Sequence, residues 1–358
     1  MINVTKTYLP NIEKYKEYVD KIYDSSWITN NGPLVQLLEK RLATYLGVKN
    51  ILLVSNGTVA LEIAYRTLDI KGYAITTPFS FVATTSSLIT NGIKPIFVDI
   101  DPQTLNINVN KIEESITLNT NAIVPVHVFG NPCDVEQISR IADKYKLKVI
   151  YDAAHAFNIK YKDESILNYG DISTLSFHAT KLFHTIEGGA LIINDDNLFQ
   201  KAKFLINFGI ETPESIPHLG TNAKMNEFEA AMGLCILDDM EEINLARKAM
   251  VTLYKNELQG LLEFQKQNKY STQNYSYFPV KFKNEEELKN VQKALNKNNI
   301  FPRRYFYPSL DTLNYIEPKQ YMKVSRDIST QILCLPLYPG LEIEVQKRII
   351  NIIKETIQ

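Results

Sequence analysis

A lysine that follows an apolar strand is the first residue of this sequence whose surroundings could do chemistry. Lys181 lies in the run SFHATK, where Ser176, His178 and Thr180 are polar neighbours that could bind a phosphate or hold the lysine. A lysine amine is a nucleophile only when it is deprotonated, and a partly desolvated site lowers its pKa. A loop lysine is more often a solvated surface charge, although the Glu187-Gly188-Gly189 turn into another strand weighs against that interpretation.

A second candidate is the segment Ser55-Asn56-Gly57-Thr58, where a strand ends and a helix begins. Free backbone N–H groups and the helix dipole make such a junction an anion site, and Gly57 would let a phosphate approach closely. Thr58 could add a hydroxyl donor. A helix N-cap with a tight turn explains the same residues equally well. The segment is not a Walker loop, because the Gly-Lys-Ser/Thr ending is absent.

The third candidate is Asp152, which closes the apolar strand Leu147–Tyr151 and precedes Ala153-Ala154-His155. A carboxylate at a strand C-terminus points into the mouth of an α/β sheet, where it stays charged only if it is paired or hydrogen-bonded. The protonated ring nitrogen of a pyridine cofactor would suit it, and a helix N-cap is the alternative. The three segments together predict a site for pyridoxal phosphate, whose ring acts as an electron sink.

The elements that must position these residues alternate between short apolar strands and amphipathic helices. Helical spacing of apolar residues predicts helices at Thr58–Leu68 and Val135–Tyr145. This alternation predicts an α/β domain with a mostly parallel sheet and a site at the strand C-termini. We predict strands at Ile51–Ser55, Ala74–Thr77, Pro95–Asp99, Ala122–Val128, Leu147–Asp152, Thr174–Phe177 and Ala190–Asn194.

A different pattern follows Met225. Residues Glu227–Leu258 predict one long helix or two joined helices, which lead into a second unit. We therefore expect a large cofactor-binding domain at 1–238 and a small C-terminal α+β domain at 239–358. The predicted elements of the second unit are strand-like Tyr275–Phe282, a helix at Glu285–Asn296, strand-like Ile332–Leu335 and a helix at Glu342–Ile357.

The composition excludes several classes of protein. Lys plus Arg is 39 against Asp plus Glu at 40, which leaves no electrostatic reason to expect nucleic acid or an anionic membrane as a partner. No apolar run reaches the roughly 18 residues of a membrane helix, and the first ten residues lack signal-peptide features. Cys133, Cys235 and Cys334 are too widely spaced for metal ligands. We expect a cytoplasmic enzyme without a metal.

Several longer runs resemble those of a known family in the same order along nearly the whole chain. They are WITNNGP, NGT, TTPFSFVATT, PVHVFG, DAAH, SFHATK, EGG and GTNAKMNE. This ordered set resembles the sugar aminotransferases of the DegT/DnrJ/EryC1/StrS family. The resemblance implies the aspartate-aminotransferase (type I) fold, with a seven-stranded, mostly parallel sheet and helices on both faces.

The resemblance also implies a role for each matching residue. Lys181 would hold the cofactor covalently and later move a proton between cofactor and substrate carbons. Asp152 would keep the pyridine nitrogen protonated, His155 would lie near the phenolic oxygen, and Phe81 would stack on the pyridine face. Phosphate contacts are implied for Gly57, Thr58 and Ser176.

Asn222 implies that the active site is shared between two subunits. Its segment, in this family, reaches the phosphate bound to the other subunit, which implies a homodimer with shared active sites. Lys224 stands where the family commonly has Arg. It keeps the charge but loses the planar fork of a guanidinium that a bidentate contact requires.

The implied reaction moves an amino group from L-glutamate to C4 of dTDP-4-keto-6-deoxyglucose. The products would be dTDP-4-amino-4,6-dideoxyglucose and 2-oxoglutarate, and the implied setting is lipopolysaccharide O-antigen biosynthesis. One alternative is a 3-aminotransferase that acts on a 3-keto isomer, since the cofactor site does not set regiochemistry. A dehydratase of the same family is disfavoured, because that branch replaces the lysine by histidine. A non-catalytic regulator that binds the cofactor is the alternative from a different class.

Substrate contacts are the least constrained predictions. Arginine suits diphosphate recognition, so the run RRYFYP is a candidate for contacts near the nucleotide or the dimer interface. A cluster between domains explains that run at least as well. A segment near the N-terminus could border the sugar, although a packing anchor is the simpler explanation of its tryptophan. The candidates are Arg303, Arg304, Tyr305 and Tyr307 in the first group, and Trp27, Thr29 and Asn30 in the second.

Overall fold

The computed structural model describes residues 1–357 and contains a central seven-stranded sheet flanked by helices. The strands are β1 (Ile2–Asn3), β2 (Ile51–Val54), β3 (Tyr73–Thr76), β4 (Lys94–Phe97), β5 (Thr120–Val124), β6 (Lys148–Asp152), β7 (Lys160–Tyr161), β8 (Glu164–Ser165), β9 (Ile172–Ser176), β10 (Gly189–Ile193), β11 (Glu263–Phe264), β12 (Pro279–Lys281), β13 (Ile300–Phe301) and β14 (Ile332–Cys334). The α-helices are α1 (Ile12–Ser25), α2 (Pro33–Leu46), α3 (Gly57–Thr67), α4 (Val82–Thr90), α5 (Val135–Tyr145), α6 (Asp196–Leu205), α7 (Glu227–Asp238), α8 (Met240–Leu258), α9 (Glu285–Lys297), α10 (Lys323–Gln331) and α11 (Ile343–Ile357).

The central sheet has the strand order β2-β10-β9-β6-β5-β3-β4. Strand β10 is antiparallel to both of its neighbours, and every other pair in the sheet is parallel. The predicted α/β fold with a mostly parallel sheet is therefore confirmed. The carboxyl ends of β6 and β9 lie at the same edge, which brings the residues that follow them close together.

Both faces of this sheet are covered, because successive side chains of a strand point to opposite sides. In β2, Ile51 and Leu53 pack into one apolar cluster with helices α2, α5 and α7. Leu52 and Val54 pack into the cluster on the other face, with helices α3 and α6. Strands buried in this way read as continuous apolar runs, which is why they could be predicted from the sequence.

The second unit is built on a three-stranded sheet, β11-β12-β14, with α8, α9 and α11 packed against it. Helices α7 and α8 are separated at Asp239, so the predicted long helix is two joined helices. We propose 238/239 as the domain boundary because the helix break lies there. The N-terminal strand is an exception, since Ile2 pairs with Ile300 of the second unit.

One predicted strand is much shorter than expected. Of Tyr275–Phe282, only Pro279–Lys281 is in a strand. Tyr275 has a φ of +56°, and the side chains of Asn274 and Ser276 donate hydrogen bonds to the carbonyl of His155 instead. This part of the segment is therefore hydrogen-bonded to the first unit and not to a neighbouring strand. None of the helices within 1–357 combines the length and the apolar composition needed to cross a membrane.

Candidate active site

A cavity of about 280 Å³ opens at the carboxyl ends of β6 and β9, beside the first turn of α3. Residues from both units line it. The first unit contributes Asn56, Gly57, Thr58, Phe81, Asp152, His155, Ser176, His178, Thr180, Lys181 and Glu187, among others, and the second contributes Tyr277, Arg303, Tyr305 and Phe306. The sequence predictions for Gly57, Thr58, Phe81, Asp152, His155, Ser176 and Lys181 therefore converge on one cavity.

Asp152 ends strand β6 and is 7% exposed. Its Oδ2 accepts a hydrogen bond of 2.7 Å from the Thr84 hydroxyl, and its Oδ1 accepts one of 3.1 Å from the Ala154 N–H. Each oxygen of the buried carboxylate therefore has a hydrogen-bond donor. No α-helix begins after Asp152 until α6, so the helix N-cap alternative is wrong. The carboxylate faces the cavity, where a cationic ring nitrogen would be a suitable partner.

Lys181 lies in the loop between β9 and β10, and it is only partly exposed. Burial lowers the pKa of its amine to about 8, against the opposing effect of the Asp152 charge. The Nζ atom lies 5.8 Å from the centroid of the Tyr277 ring. A solvated surface charge is therefore the wrong description of this lysine. A substantial fraction of its amine is neutral near physiological pH, as a nucleophile or general base requires.

The start of helix α3 fits a phosphate. Asn56 caps the helix by accepting a 2.9 Å hydrogen bond from the Val59 N–H, while the first N–H groups, at Gly57 and Thr58, have no intrahelical acceptor. A Cβ added to Gly57 would lie 2.7 Å from the Cβ of Ser176. Strand β9 thus approaches the helix so closely that only glycine fits. The N-cap and the anion site, which appeared as alternatives, use different groups of the same turn.

His155 presents a hydrogen-bond donor to the cavity. Its Nδ1 accepts a 3.2 Å hydrogen bond from the Phe129 N–H, which leaves the proton of the neutral ring on Nε2. Burial, with a smaller effect of the Lys181 charge, holds the pKa of His155 well below its ordinary value. The ring is parallel to those of Phe129 and Phe306, at 6.1 and 5.9 Å between centroids. Its orientation and tautomer are therefore both determined.

Phe81 precedes helix α4 and is 52% exposed, although it lines the cavity. A half-exposed aromatic ring at a cavity wall offers a face on which a planar ligand could stack. The described residues thus supply a ring face, a carboxylate, an amine and a phosphate cradle. Pyridoxal phosphate fits this set of groups.

Several predicted site residues do not line the cavity within this chain. Asn222 is exposed, and its Oδ1 accepts a 2.8 Å hydrogen bond from the Lys224 amine. Trp27 is 48% exposed and donates from Nε1 to the carbonyl of Thr29 at 2.6 Å. Asn30 lines a separate hollow of about 390 Å³ together with Lys224. These residues stay predictions that need another subunit or a substrate to be tested.

Some side chains of the run RRYFYP line the cavity, and others lie outside it. Arg303 and Tyr305 line the cavity, and the guanidinium of Arg303 lies 4.7 Å from the centroid of the Tyr305 ring. Arg304 instead pairs with Glu285 at 3.0 Å and stacks on Tyr307 at 3.6 Å. Arg304 and Tyr307 thus form a cluster with Glu285 inside the second unit, whereas the alternative considered above was a cluster between domains.

Further residues at the site escaped prediction from the sequence. Tyr277 and Phe306 line the cavity, and Thr84 orients Asp152. Tyr277 falls in a segment that we predicted as a strand, where nothing distinguishes it from a core tyrosine. For Thr84 a signal exists, since a threonine on the buried side of a short helix needs a polar partner.

A buried carboxylate explains two of the runs quoted above. Glu227 is 1% exposed and accepts hydrogen bonds from the N–H groups of Leu34 and Val35, at 2.8 and 2.9 Å. A Cβ on Gly32 would lie 2.6 Å from its carboxyl carbon. The runs that contain Gly32 and Glu227 are therefore coupled at the start of α2, where a negative charge is favourable.

Comparisons with known proteins agree with this geometry. The model of the DegT/DnrJ/EryC1/StrS aminotransferase family matches residues 11–354. A dTDP-4-amino-4,6-dideoxy-D-glucose transaminase from Shigella dysenteriae is 44% identical over 361 residues, which cover 99% of this chain and 98% of the relative. The crystal structure of DesI in the presence of its TDP-sugar product superposes with a TM-score of 0.94 at 29% identity, covering 99% of this chain and 93% of that one.

A solved structure also bears on the cofactor. The crystal structure of ntda from Bacillus subtilis, with bound cofactor PMP, superposes with a TM-score of 0.90 at 28% identity and covers 97% of this chain and 82% of that one. The cavity described above supplies the groups that such a cofactor needs. This chain therefore belongs to the DegT/DnrJ/EryC1/StrS aminotransferase family and is an aminotransferase that depends on pyridoxal phosphate.

Proposed function

We propose that this enzyme transfers an amino group from L-glutamate to C4 of dTDP-4-keto-6-deoxyglucose. The products are dTDP-4-amino-4,6-dideoxyglucose and 2-oxoglutarate. The observation that carries the proposal is the convergence of Lys181, Asp152 and the α3 N-terminus on one cavity. The choice of sugar is supported by similarity over nearly the full chain to a transaminase named for that product.

Each residue at the site has a separate role in the proposed reaction. When bound, pyridoxal phosphate supplies an electron sink for the charge left when a substrate carbon loses its proton. The neutral amine of Lys181 takes that proton, and in each half-reaction it moves one proton between the substrate carbon and the cofactor. Asp152 holds a proton on the ring nitrogen, and the first turn of α3 with Ser176 binds the phosphate. His155 would donate its Nε2–H to the phenolic oxygen of the bound cofactor.

Arg303 and Tyr305 are the proposed contacts with the nucleotide diphosphate. Arg303 lines the cavity, is exposed, and is in no salt bridge among residues 1–357. A free guanidinium binds two phosphate oxygens in a geometry that an ammonium group cannot match. Tyr305 is neutral, since burial raises its pKa to about 12, and it offers a hydroxyl and a ring edge.

We also propose a homodimer in which Asn222 and Lys224 reach the phosphate site of the partner. Asn222 is exposed and lies outside the cavity of its own chain, so a second copy must supply any such contact. Large apolar side chains stay exposed in the same segment, with Ile216 at 65% and Leu219 at 89%. Contiguous exposed apolar surface favours contact with another protein, and these two side chains lie only three positions apart in the chain. Trp27, Thr29 and Asn30 are proposed to border the sugar at this interface.

The proposed setting is a cytoplasmic step in the biosynthesis of lipopolysaccharide O-antigen. A 3-aminotransferase is the rival enzyme, because the cofactor groups act alike on a 3-keto and a 4-keto sugar. A non-catalytic regulator is the rival from another class. Retention of Lys181 with a lowered amine pKa, beside Asp152, favours catalysis over simple binding.

The proposal is tested by incubating the holoenzyme with L-glutamate and dTDP-4-keto-6-deoxyglucose and reading the product by NMR. An equatorial amine at C4 is the expected result. An amine that appears only with the 3-keto isomer refutes the proposed regiochemistry. Lys181→Ala is the matched control, which should stay folded by circular dichroism and form no amino sugar. Full turnover by that variant would refute the assigned role of the lysine.

A further inference from the structure

The loop that carries Lys181 is closed by a short extension of the central sheet. Strands β9 and β10 are antiparallel, with Ser176 opposite Gly189. The next pair continues this register, because the Phe177 N–H donates a 2.8 Å hydrogen bond to the carbonyl of Gly188. The first and last residues of the loop are therefore held opposite each other by the strand register. We call these paired residues, from the pair Phe177 and Gly188 onwards, the neck of the Lys181 loop.

The pair that follows in the same register is His178 and Glu187. The Nε2 atom of His178 lies 3.6 Å from Oε1 of Glu187, and both residues line the cavity. Their side chains are 47% and 54% exposed. Two polar side chains thus face each other across the neck of the Lys181 loop and remain open to a ligand.

The backbone at Glu187 is held rigidly. The Thr185 hydroxyl donates a 2.6 Å hydrogen bond to the Glu187 carbonyl, and a Cβ on Gly188 would lie 2.0 Å from that hydroxyl oxygen. Ile186 has a φ of +73°, which β-branched residues rarely adopt. Because Ile186 is 44% exposed, burial of its side chain does not explain this conformation. Such conformations concentrate at functional sites, and here the next side chain is that of Glu187.

The ring of His178 is oriented towards Glu187. Its Nδ1 accepts a hydrogen bond from the Thr180 N–H at 3.3 Å and lies 2.8 Å from the Thr180 hydroxyl. The proton of the neutral ring is therefore on Nε2, the atom nearest to Glu187. Within residues 1–357 the Glu187 carboxylate makes no hydrogen bond and no closer ion pair. Most of its lone pairs are free for a ligand.

The charges around the cavity limit what this carboxylate can bind. Lys181 and Arg303 are the cations that line the same cavity, and they attract phosphate and carboxylate groups. Glu187 repels those groups, and an ionised carboxylate can only accept hydrogen bonds. In a nucleotide-linked keto sugar, the groups that can donate a hydrogen bond to the Glu187 carboxylate are the hydroxyls of the pyranose ring and the donors of the nucleoside. The ammonium group of L-glutamate is consumed when its nitrogen reacts at the cofactor, and the polar groups that remain are two carboxylates, which Glu187 repels.

We infer that Glu187 accepts hydrogen bonds from the ring hydroxyls of the keto sugar, with His178 as the residue that positions its carboxylate. The inference rests on the proposed function, because it names a sugar contact in the same cavity. Glu187 then contributes to substrate binding in only one of the two half-reactions. It recognises the sugar that accepts the amino group, and it offers no attractive contact to L-glutamate once the nitrogen of the amino acid is bound to the cofactor.

The experiment measures the two half-reactions separately on the holoenzyme. The first is the release of 2-oxoglutarate from L-glutamate, and the second is amination of dTDP-4-keto-6-deoxyglucose by enzyme preloaded with pyridoxamine phosphate. Glu187→Ala should lose about 10- to 100-fold in kcat/KM for the sugar, as expected when hydrogen bonds to a charged group are removed. Its rate with L-glutamate should stay within about twofold. Glu187→Gln keeps one acceptor oxygen and should lose less, and Glu286→Ala, an exposed residue on α9, is the matched control.

Each outcome decides between this inference and its rivals. Equal losses in both half-reactions, or a changed absorbance of the bound cofactor, would show that Glu187 only shapes the Lys181 loop. An unchanged rate with the sugar would refute the contact outright. A wild-type enzyme that releases 2-oxoglutarate but aminates no keto sugar refutes the proposed function and this inference together. A wild-type enzyme that aminates the sugar, alongside an equally active Glu187→Ala variant, refutes the inference alone.

Discussion

The reactivity of Lys181 towards the cofactor gives a quantitative prediction. Burial lowers the pKa of its amine to about 8, whereas an exposed lysine has a pKa of about 10.4. At about pH 7.5, roughly a quarter of the Lys181 amine is then neutral, against about one in a thousand for an exposed lysine. Only the neutral form attacks an aldehyde. We therefore expect the reactive, neutral fraction of Lys181 to exceed that of a solvated lysine roughly two hundredfold at that pH.

The assay uses enzyme freed of its cofactor and mixed with pyridoxal phosphate over a range of pH. The initial rate of appearance of the visible absorbance reports formation of the covalent link. The rate should rise about tenfold per pH unit below about 8 and level off above it, because the neutral fraction follows the pKa. Lys181→Ala should show no such phase, and a small lysine derivative in solution supplies the reference midpoint.

A midpoint near that of free lysine would refute the argument from burial. The direction in which Asp152→Asn moves the midpoint of the pH–rate profile provides an independent check. The Asp152 charge raises the pKa of Lys181, so Asp152→Asn should move the midpoint to lower pH. Saturating cofactor is needed, since this variant also loses the proposed partner of the ring nitrogen. A midpoint that moves to higher pH would show that Asp152 does not act on the amine through its charge.

Three further predictions follow from individual contacts. Thr84→Val removes the 2.7 Å hydrogen bond to Asp152 and should weaken cofactor binding about tenfold in equilibrium dialysis, while Thr84→Ser should restore it; equal affinities would contradict the role of the hydroxyl. Gly57→Ala places a Cβ 2.7 Å from that of Ser176, and it should lower the free energy of unfolding in urea by about 1–3 kcal/mol and weaken phosphate binding. An unchanged unfolding midpoint would show that strand β9 can shift to accommodate the methyl group. Glu227→Gln leaves a buried backbone N–H with a poorer acceptor and should cost about 1–3 kcal/mol, read as a lower Tm, and an unchanged Tm would count against this cap.

The sequence was sufficient for those features that depend on neighbouring residues. Apolar runs predict buried strands at Ile51–Ser55 and Ala190–Asn194, because both faces of the sheet are covered. The structure has these strands at Ile51–Val54 and Gly189–Ile193. Asp152 and Lys181 are recognisable because each comes at or just after the end of a strand, where an α/β sheet presents its ligand site. The Asn56 cap and the free N–H groups after it likewise follow from a local rule of helix geometry.

Some expectations failed where a side chain from elsewhere competes with local structure. The segment at 275–278 has the apolar alternation of a strand, but Arg247 donates to the carbonyls of Tyr275 and Ser276, and Asn274 bonds to the first unit. Its backbone groups are satisfied by side chains instead of a ladder, so the strand begins only at Pro279. Local propensity carries no information about such distant partners.

The sequence by itself determined the class of the fold, the strand ends that present Asp152 and Lys181, and the turn that starts α3. Only the tertiary structure decided that Tyr277 and Arg303 complete the cavity wall while Arg304 turns away to Glu285. The physical reason is that burial periodicity tells which face of an element is covered but not which residues cover it. That choice depends on how the two units pack, and therefore on contacts between residues far apart in the chain.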